Sequence, residues 1–344
     1  MKIAGFDIGG ANTDLAIIDF SENGEIENII VDFEYLPMWS DNHRLNDVLL
    51  NLINKNDELD NIDGIGISMT AELVDAYNKK EEGVLDISKK VKDAFNVPIG
   101  FVGTNGFLNY DEILKNPSQV AAANWIATSA IISEIDENCI FVDTGSTTTD
   151  IIPIKNGKEC SKGRSDFERL VTGELVYTGT LRTNLCSFLK KVELDDKKYN
   201  VASELFATTA DVYNVLNKIN EEDYTCPTSD GAGKSKIESI TRISRILCAD
   251  MNMLSEDDII AISKFVYEKQ VEQIAEGLIK VSKRENLNKV VTAGLGGEIL
   301  GKEAVKLLNL HHISMNDFYT KEESVVAPAI GTAVLMYEYL MDFS

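Results

Sequence analysis

The 344-residue sequence predicts an α/β protein built from two related domains, and three observations predict it. The first is a repeat. Asp7-Ile8-Gly9-Gly10-Ala11-Asn12-Thr13-Asp14 overlays Asp143-Thr144-Gly145-Ser146-Thr147-Thr148-Thr149-Asp150, and both read D-x-G-x-x-x-T-D. Asp7/Asp143, Gly9/Gly145, Thr13/Thr149 and Asp14/Asp150 are identical, and an apolar run follows each copy, Leu15 to Ile18 and Ile151 to Ile154. A chance turn does not recur with fixed positions and matched flanking strands, so the repeat implies two related domains facing each other, each offering a loop to one ligand. The second observation is another glycine loop, Ala293-Gly294-Leu295-Gly296-Gly297, which follows the short apolar run Val290-Val291-Thr292 and opens a helix. The third is length, because at roughly 150 residues per domain the chain is too long for one core.

Taken in order, residues 2–6 and 15–20 read as the first hairpin, and Gly24 turns the chain into a third strand, Glu27 to Tyr35. Leu45, Val48, Leu49, Leu52 and Ile53 have the spacing of an amphipathic helix laid on a sheet. Gly64 to Ser68 reads as a buried strand whose exit carries Met69-Thr70-Ala71-Glu72-Leu73, and strand ends are where ligand clefts of α/β sheets lie. Lys79 to Lys92 is charged, with Val84, Ile87, Val91 and Phe95 at helical spacing, which predicts a solvated helix with one buried side. Ile99 to Val102 is a strand entering Gly103-Thr104-Asn105-Gly106-Phe107, and Ala121 to Ile132 is a helix of small and apolar residues. In it Asn124 stands out, because a buried amide needs partners and could meet a substrate. Beyond the second repeat, Lys155-Asn156-Gly157-Lys158 is a hairpin turn. Residues 185–288 read as helices without strands, interrupted by the loop Pro227 to Lys234, which lacks the spacing of a nucleotide-binding P-loop. Ser255 to Asp258 fits a capping box, and Tyr267, Val271, Ile274, Leu278 and Val281 mark the core stripe of a long helix. Pro328 starts the last helix.

The repeated loops carry the chemistry. Gly9, Gly10 and Gly145 let backbone N–H groups approach a ligand, and Asn12, Thr13, Ser146, Thr147 and Thr148 add side-chain hydrogen-bonding groups, so each loop reads as a phosphate cradle. Asp7 and Asp143 leave their strands at the head of each loop, where a carboxylate suits Mg²⁺, a cation that takes few protein ligands and bridges phosphate oxygens. Either aspartate could instead cap its turn, and a turn-closing bond would also explain Asp14 and Asp150. Glu72 and Asp166 are candidate bases, with helix capping as the alternative for Glu72. Lys162, Arg164, Arg169 and Arg182 lie among Asp166, Glu168 and Glu174. Such a mixture commonly forms surface salt bridges, but arginine also matches diphosphate oxygens in a bidentate manner, which makes Arg164 and Arg182 candidate phosphate ligands.

Composition narrows the partners. A formal charge of −23 repels nucleic acid and anionic membranes, so a phosphorylated ligand must be held by local N–H groups, a cation and a few arginines. The sequence offers no cleavable leader and no run of roughly 18 apolar residues, which leads to the expectation of a cytoplasmic protein. Five cysteines without C-x-x-C spacing fit reduced thiols, and His43, His311 and His312 make no metal pattern.

The three glycine loops, in this order, resemble the actin, sugar-kinase and Hsp70-type ATPase superfamily, with its ribonuclease H-like domains. The resemblance implies that the first two loops clamp phosphates and Mg²⁺ and that Gly294, Gly296 and Gly297 lie against a nucleotide or its equivalent. Within the superfamily the chain looks most like the hydantoinase and oxoprolinase group and, more closely, a family of methanofuran biosynthesis. The closer likeness rests on Ser68 to Leu73, Ala122 to Ala127, Gly163-Arg164-Ser165-Asp166, Gly173 to Gly179, Ala207 to Tyr213 and Cys248-Ala249-Asp250, and it covers nearly the whole chain. It implies domains of residues 1–136 with 325–344 and of residues 137–324, with a helical insertion at about 185–288 in the second. It also implies a reaction, the joining of an aminomethylfuran diphosphate to γ-glutamyltyramine with release of diphosphate. ATP is then possible but not required. The same loops would serve an ATP-dependent kinase or hydantoinase/oxoprolinase-like hydrolase, or a non-enzymatic nucleotide-dependent switch, although the sequence has no recognisable peptide-binding extension for the switch.

Overall fold

A computed structural model describes residues 1–57, 59–104, 106–120 and 124–342; the sequence readings at Asn105 and at Ala121 to Ala123 lie outside the described residues. The chain divides into two compact units, Met1–Cys139 with Ile152–Glu168 and Asn316–Ser344, and Ile140–Ile151 with Arg169–Met315.

In the first unit β1 (Lys2–Ile8) and β2 (Asn12–Phe20) form the expected hairpin, pairing Asp7 with Asp14 and Ile8 with Thr13. β3 (Ile26–Tyr35) adds antiparallel to β2. On the other side β4 (Gly64–Met69) and β5 (Ile99–Gly103) run parallel to β1, and β6 (Gly106–Leu108) closes the edge, giving the order β3-β2-β1-β4-β5-β6. β1 and β4 are buried along almost their whole length, because the helices Leu45–Asn56 and Lys80–Ala94 bury their apolar faces in the same core and the last helix, Ala327–Asp342, packs on the sheet as well. The last helix approaches closely enough that a Cβ on Gly5 would stand 2.2 Å from Ala329 O and one on Gly331 would stand 2.0 Å from Ala127 O. Glycine at both positions is what allows backbone to pack on backbone. The chain's end thus belongs to its first unit.

The second sheet follows the same plan. β7 (Cys139–Thr144) and β8 (Thr149–Lys155) are neighbours, and β9 (Lys158–Glu159) and β10 (Leu175–Val176) each pair antiparallel with β8. The β8–β9 turn has Asn156 at φ 51° and Gly157 at φ 71°, the left-handed pair that a tight hairpin requires. A hairpin, β11 (Lys191–Leu194) with β12 (Lys197–Asn200), then corrects the expectation of helices alone between 185 and 288. Its turn uses Asp195 and Asp196 at φ 49° and 62°, in the place where Asn-Gly would have signalled a hairpin in the sequence. The rest of that region is helical, chiefly Thr209–Val215, Lys236–Arg245 and Glu256–Glu285. The last of these begins at the expected box, with Ser255 accepting from the Asp258 N–H, and ends at Asn286 with φ 55°. β13 (Lys289–Ala293) lies parallel to β7, and β14 (His311–Ser314) lies parallel to β13, so the order is β10-β8-β7-β13-β14.

No described helix is long and apolar enough to cross a membrane. All five cysteines are free of disulfides.

Candidate functional site

The two repeated loops close in the same way. Gly9 N–H donates to Asn12 O at 2.9 Å, and Gly145 N–H donates to Thr148 O at 3.0 Å, the equivalent pair of positions. Each loop is also held from outside, the first by the segment after β3 and the second by the segment after β10. In the first, Leu36 N–H and Met38 N–H donate to Ala11 O and Gly10 O, both at 2.9 Å. In the second, Thr180 N–H donates to Gly145 O at 2.9 Å, while Leu181 and Arg182 N–H donate to Ser146 O at 3.0 and 2.9 Å. These bonds occupy loop carbonyls, so the groups each loop can turn to an anion are its N–H groups and side chains.

The strands beside β1 and β7 deliver matching pieces. β4 ends next to the first loop: Thr70 N–H donates to Ile8 O at 3.0 Å, and Cβ atoms on Gly9 and Gly10 would come within 3.9 Å of Thr70 Oγ1 and 3.3 Å of Val74 Cγ1. β13 ends next to the second loop, where Gly296 N–H donates to Thr144 O at 2.8 Å. Gly294, at φ +81°, leaves room for a carboxylate, since a Cβ there would stand 2.3 Å from Asp143 Oδ1. Gly297 opens the helical turn Gly297–Gly301. Asp7, nearly buried, receives a 2.7 Å hydrogen bond on Oδ1 from Ser68 Oγ. Thr149 Oγ1 donates to Thr178 O at 2.9 Å, whereas its counterpart Thr13 Oγ1 is buried with no hydrogen-bond partner among the described residues.

Within Thr178 to Thr183 the sequence pointed to Arg182 as a site residue and not to its neighbours, because they act through backbone. A Cβ on Gly179 would fall 2.5 Å from Thr147 N and C, so only glycine lets the segment lie on the second loop. Gln270, on the long helix, fixes this turn from behind, donating from Nε2 to Thr178 Oγ1 at 2.9 Å and to Gly179 O at 2.7 Å. The one signal available was the small-residue run Thr178-Gly179-Thr180.

The remaining predicted residues divide between the units. Glu72 and Asp166 meet in the first through Lys80, whose Nζ lies 3.5 Å from Glu72 Oε1 and 3.6 Å from Asp166 Oδ2. Burial pushes the Glu72 carboxyl above the usual carboxylate range, opposed by the Lys80 charge. Arg164, exposed, pairs with Glu159, donates from its backbone N to Glu168 Oε2 at 2.8 Å and lies 5.9 Å from the centre of the Trp125 ring. Arg182 belongs to the second unit, with its backbone bonded to the loop and its side chain exposed. Burial raises the Cys226 thiol, and the cations of Arg182 and Lys234 hold it down, which places both charges in that part of the second unit. Arg169, by contrast, is buried and pairs with Asp150 at 2.7 Å, a structural role. Asn124, in the helix Asn124–Ile135, is half-buried.

Among the described residues no three His, Cys, Asp or Glu gather as a metal cluster. A depression lined by Met1, Phe20, Glu22, Glu27 and Tyr337 lies at the far end of the β1–β2 hairpin from the loop, and its two carboxylates do not suit a diphosphate.

The hydantoinase/oxoprolinase family profile matches residues 63–339. A (4-{4-[2-(gamma-L-glutamylamino)ethyl]phenoxymethyl}furan-2-yl)methanamine synthase of Methanocaldococcus jannaschii is 45% identical over 342 residues, 99% of this chain and 99% of that protein. Among solved structures, acetone carboxylase in nucleotide-free form is similar over 97% of this chain and 70% of that one, at 11% identity and a TM-score of 0.58. A ROK family glucokinase from Streptomyces griseus, in complex with glucose and AMPPNP, is similar over 98% and 100%, at 12% identity and a TM-score of 0.51. These structural likenesses speak to fold alone, and the fold is the two-domain actin-like ATPase type that the resemblance of the three glycine loops implied.

Proposed function

Since the chain belongs to the hydantoinase/oxoprolinase family and is an enzyme by its full-length kinship to a synthase, we propose that it forms (4-{4-[2-(gamma-L-glutamylamino)ethyl]phenoxymethyl}furan-2-yl)methanamine. The observation that carries this reading is the 45% identity across 99% of both chains. In the reaction proposed, the phenol oxygen of γ-glutamyltyramine attacks the furfuryl carbon of an aminomethylfuran diphosphate, forming the ether as the diphosphate departs. The class is therefore a transferase with a diphosphate leaving group.

Three tasks follow from that chemistry. The departing diphosphate gathers negative charge, and preorganised donors aimed at developing charge stabilise a transition state most effectively. Gly9, Gly10, Asn12 and Thr13 in one loop and Gly145, Ser146, Thr147 and Thr148 in the other are the proposed cradle. Arg182 adds a cation beside the second loop, and Arg164 would have to exchange its Glu159 partner for phosphate to do the same. Gly294 packs against Asp143, Gly296 against Thr144 and Thr180, and Gly297 against Thr292.

A divalent cation is proposed as the partner of the strand-end carboxylate of each unit. Asp7 and Asp143 offer hard oxygen ligands at matching strand ends, and Ser68 orients the first of them. Mg²⁺ held there would neutralise charge on the diphosphate. The phenol proton must also be removed, since a phenol with pKa near 10 stays protonated at neutral pH. The proposed acceptor lies in the group formed by Glu72, Lys80 and Asp166.

The test is product identity. Purified protein given Mg²⁺, the furan diphosphate and γ-glutamyltyramine should release the ether and diphosphate in equal amounts without ATP. Strict ATP dependence with release of ADP and orthophosphate would replace this reading with the kinase or hydrolase one.

A further inference from the structure

The side chains of Glu72, Lys80 and Asp166 form a chain of charge in the first unit, and the three are not equivalent. Glu72 is 1% exposed, Lys80 32% and Asp166 37%. Lys80 is the first residue of the helix Lys80–Ala94, and Asp166 is the first of Asp166–Thr172. Glu72 sits in the turn Ala71–Leu73 that leaves β4 beside the first phosphate loop. The turn is pinned from the same helix, because Gly83 packs where a Cβ would stand 2.3 Å from Glu72 O. Glu72 Oε2 is buried without a hydrogen-bond partner among the described residues, so Lys80 is what offsets the charge of that carboxyl.

Resting on the synthase reading, we propose that these side chains form one proton-accepting unit in which Asp166 meets the phenol, Lys80 is a positioning residue and Glu72 is its buried anchor. Two carboxylates that share one ammonium carry a net negative charge, and one proton brings the group to neutrality. The bookkeeping of the step is complete within the two substrates and this unit. The phenol O–H bond breaks and leaves its electron pair on oxygen, that oxygen bonds to the furfuryl carbon, the carbon–oxygen bond to diphosphate breaks with its pair leaving on the diphosphate, and the proton goes to an Asp166 oxygen. Lys80, relieved of one partner, then serves Glu72 alone. Exposure sets the division of labour, since Asp166 is open where a phenol can reach it and Glu72 is 1% exposed behind Lys80.

Two measurements test the unit. In turnover, Asp166→Asn should lower kcat/KM by about a hundredfold or more, most steeply for phenol acceptors of high pKa. Glu72→Gln and Lys80→Met should lower it by about tenfold with the same added dependence on acceptor pKa, and Lys80→Arg should restore most of it. A merely structural role for Glu72 or Lys80 would leave the acceptor dependence unchanged and overturn the proposal, as would near-normal turnover in Asp166→Asn. The second measurement needs no substrate. The carboxyl stretch of protonated Glu72, identified by its loss in Glu72→Gln, can be titrated by infrared difference spectroscopy. The charged groups acting on it are Lys80 and Asp166, with opposite signs. Its midpoint should move to higher pH in Lys80→Met and to lower pH in Asp166→Asn. Unmoved midpoints would refute the unit even if the ether is formed, and shifted midpoints would support the coupling even if the synthase reading failed.

Discussion

Asp7→Asn and Asp143→Asn should each lower turnover by about a thousandfold or more while leaving the fold intact. The expected loss follows from the proposal that each carboxylate directs a cation to the departing diphosphate, where about 4 kcal/mol of transition-state stabilisation corresponds to that factor. The fold should survive because asparagine has the same shape. At position 7 its side-chain oxygen still accepts the 2.7 Å bond from Ser68, and at position 143 the space opposite Gly294 already accommodates a side-chain oxygen. Steady-state kinetics beside a thermal melt separates the two effects. Near-native turnover in either variant would reduce that aspartate to a turn cap.

The second large effect concerns stability. Arg242 and Asp211 are both fully buried, and Arg242 Nε donates to Asp211 Oδ1 at 2.8 Å. Arg242 also donates from one terminal nitrogen to Gly233 O at 2.9 Å and to Asp230 Oδ1 at 3.2 Å, so it ties the loop Pro227 to Lys234 to the helices beneath. Burial pushes the Asp211 carboxyl up, against the Thr208 N–H and the Arg242 charge that hold it down. Arg242→Met should therefore cost about 3–5 kcal/mol, the usual penalty for leaving one partner of a buried pair uncompensated. Adding Asp211→Asn removes the stranded charge and should recover part of the loss, because neighbours in one network are not additive. Denaturant unfolding measures both variants, and an Arg242→Met melt like that of the native protein would show that the pair contributes nothing.

What the sequence made legible was whatever repeats or alternates. The pattern D-x-G-x-x-x-T-D exposed both loops because a glycine, a strand-end carboxylate and an outgoing apolar strand recur together, and the structure gives both loops the same closing bond. The stripe on Glu256–Glu285 and its Ser255 box were equally plain. Hidden from sequence were contacts made by backbone or by charges at distance. The β11–β12 hairpin escaped because Lys197-Lys198-Tyr199-Asn200 is exposed along its length and shows no apolar face, and its turn is Asp-Asp. Thr178 to Arg182 reaches the second loop through N–H groups, which every residue type but proline shares. Lys80 read as one charge on a solvated helix, and only the fold brings Glu72 and Asp166 to it from either side in sequence. Arg242, a charged residue in the mostly polar helix Lys236–Arg245, likewise gave no sign of its burial.

The central claim is that a carbon–oxygen bond to diphosphate breaks and no phosphoryl group is transferred. An oxygen-18 label in the bridge between the furfuryl carbon and the diphosphate tests it directly, with mass spectrometry of both products. All of the label should leave with the diphosphate, the ether should carry the phenol's own oxygen, and ATP should change neither result. Label retained on the furan product, or diphosphate release that requires ATP cleavage, would contradict it.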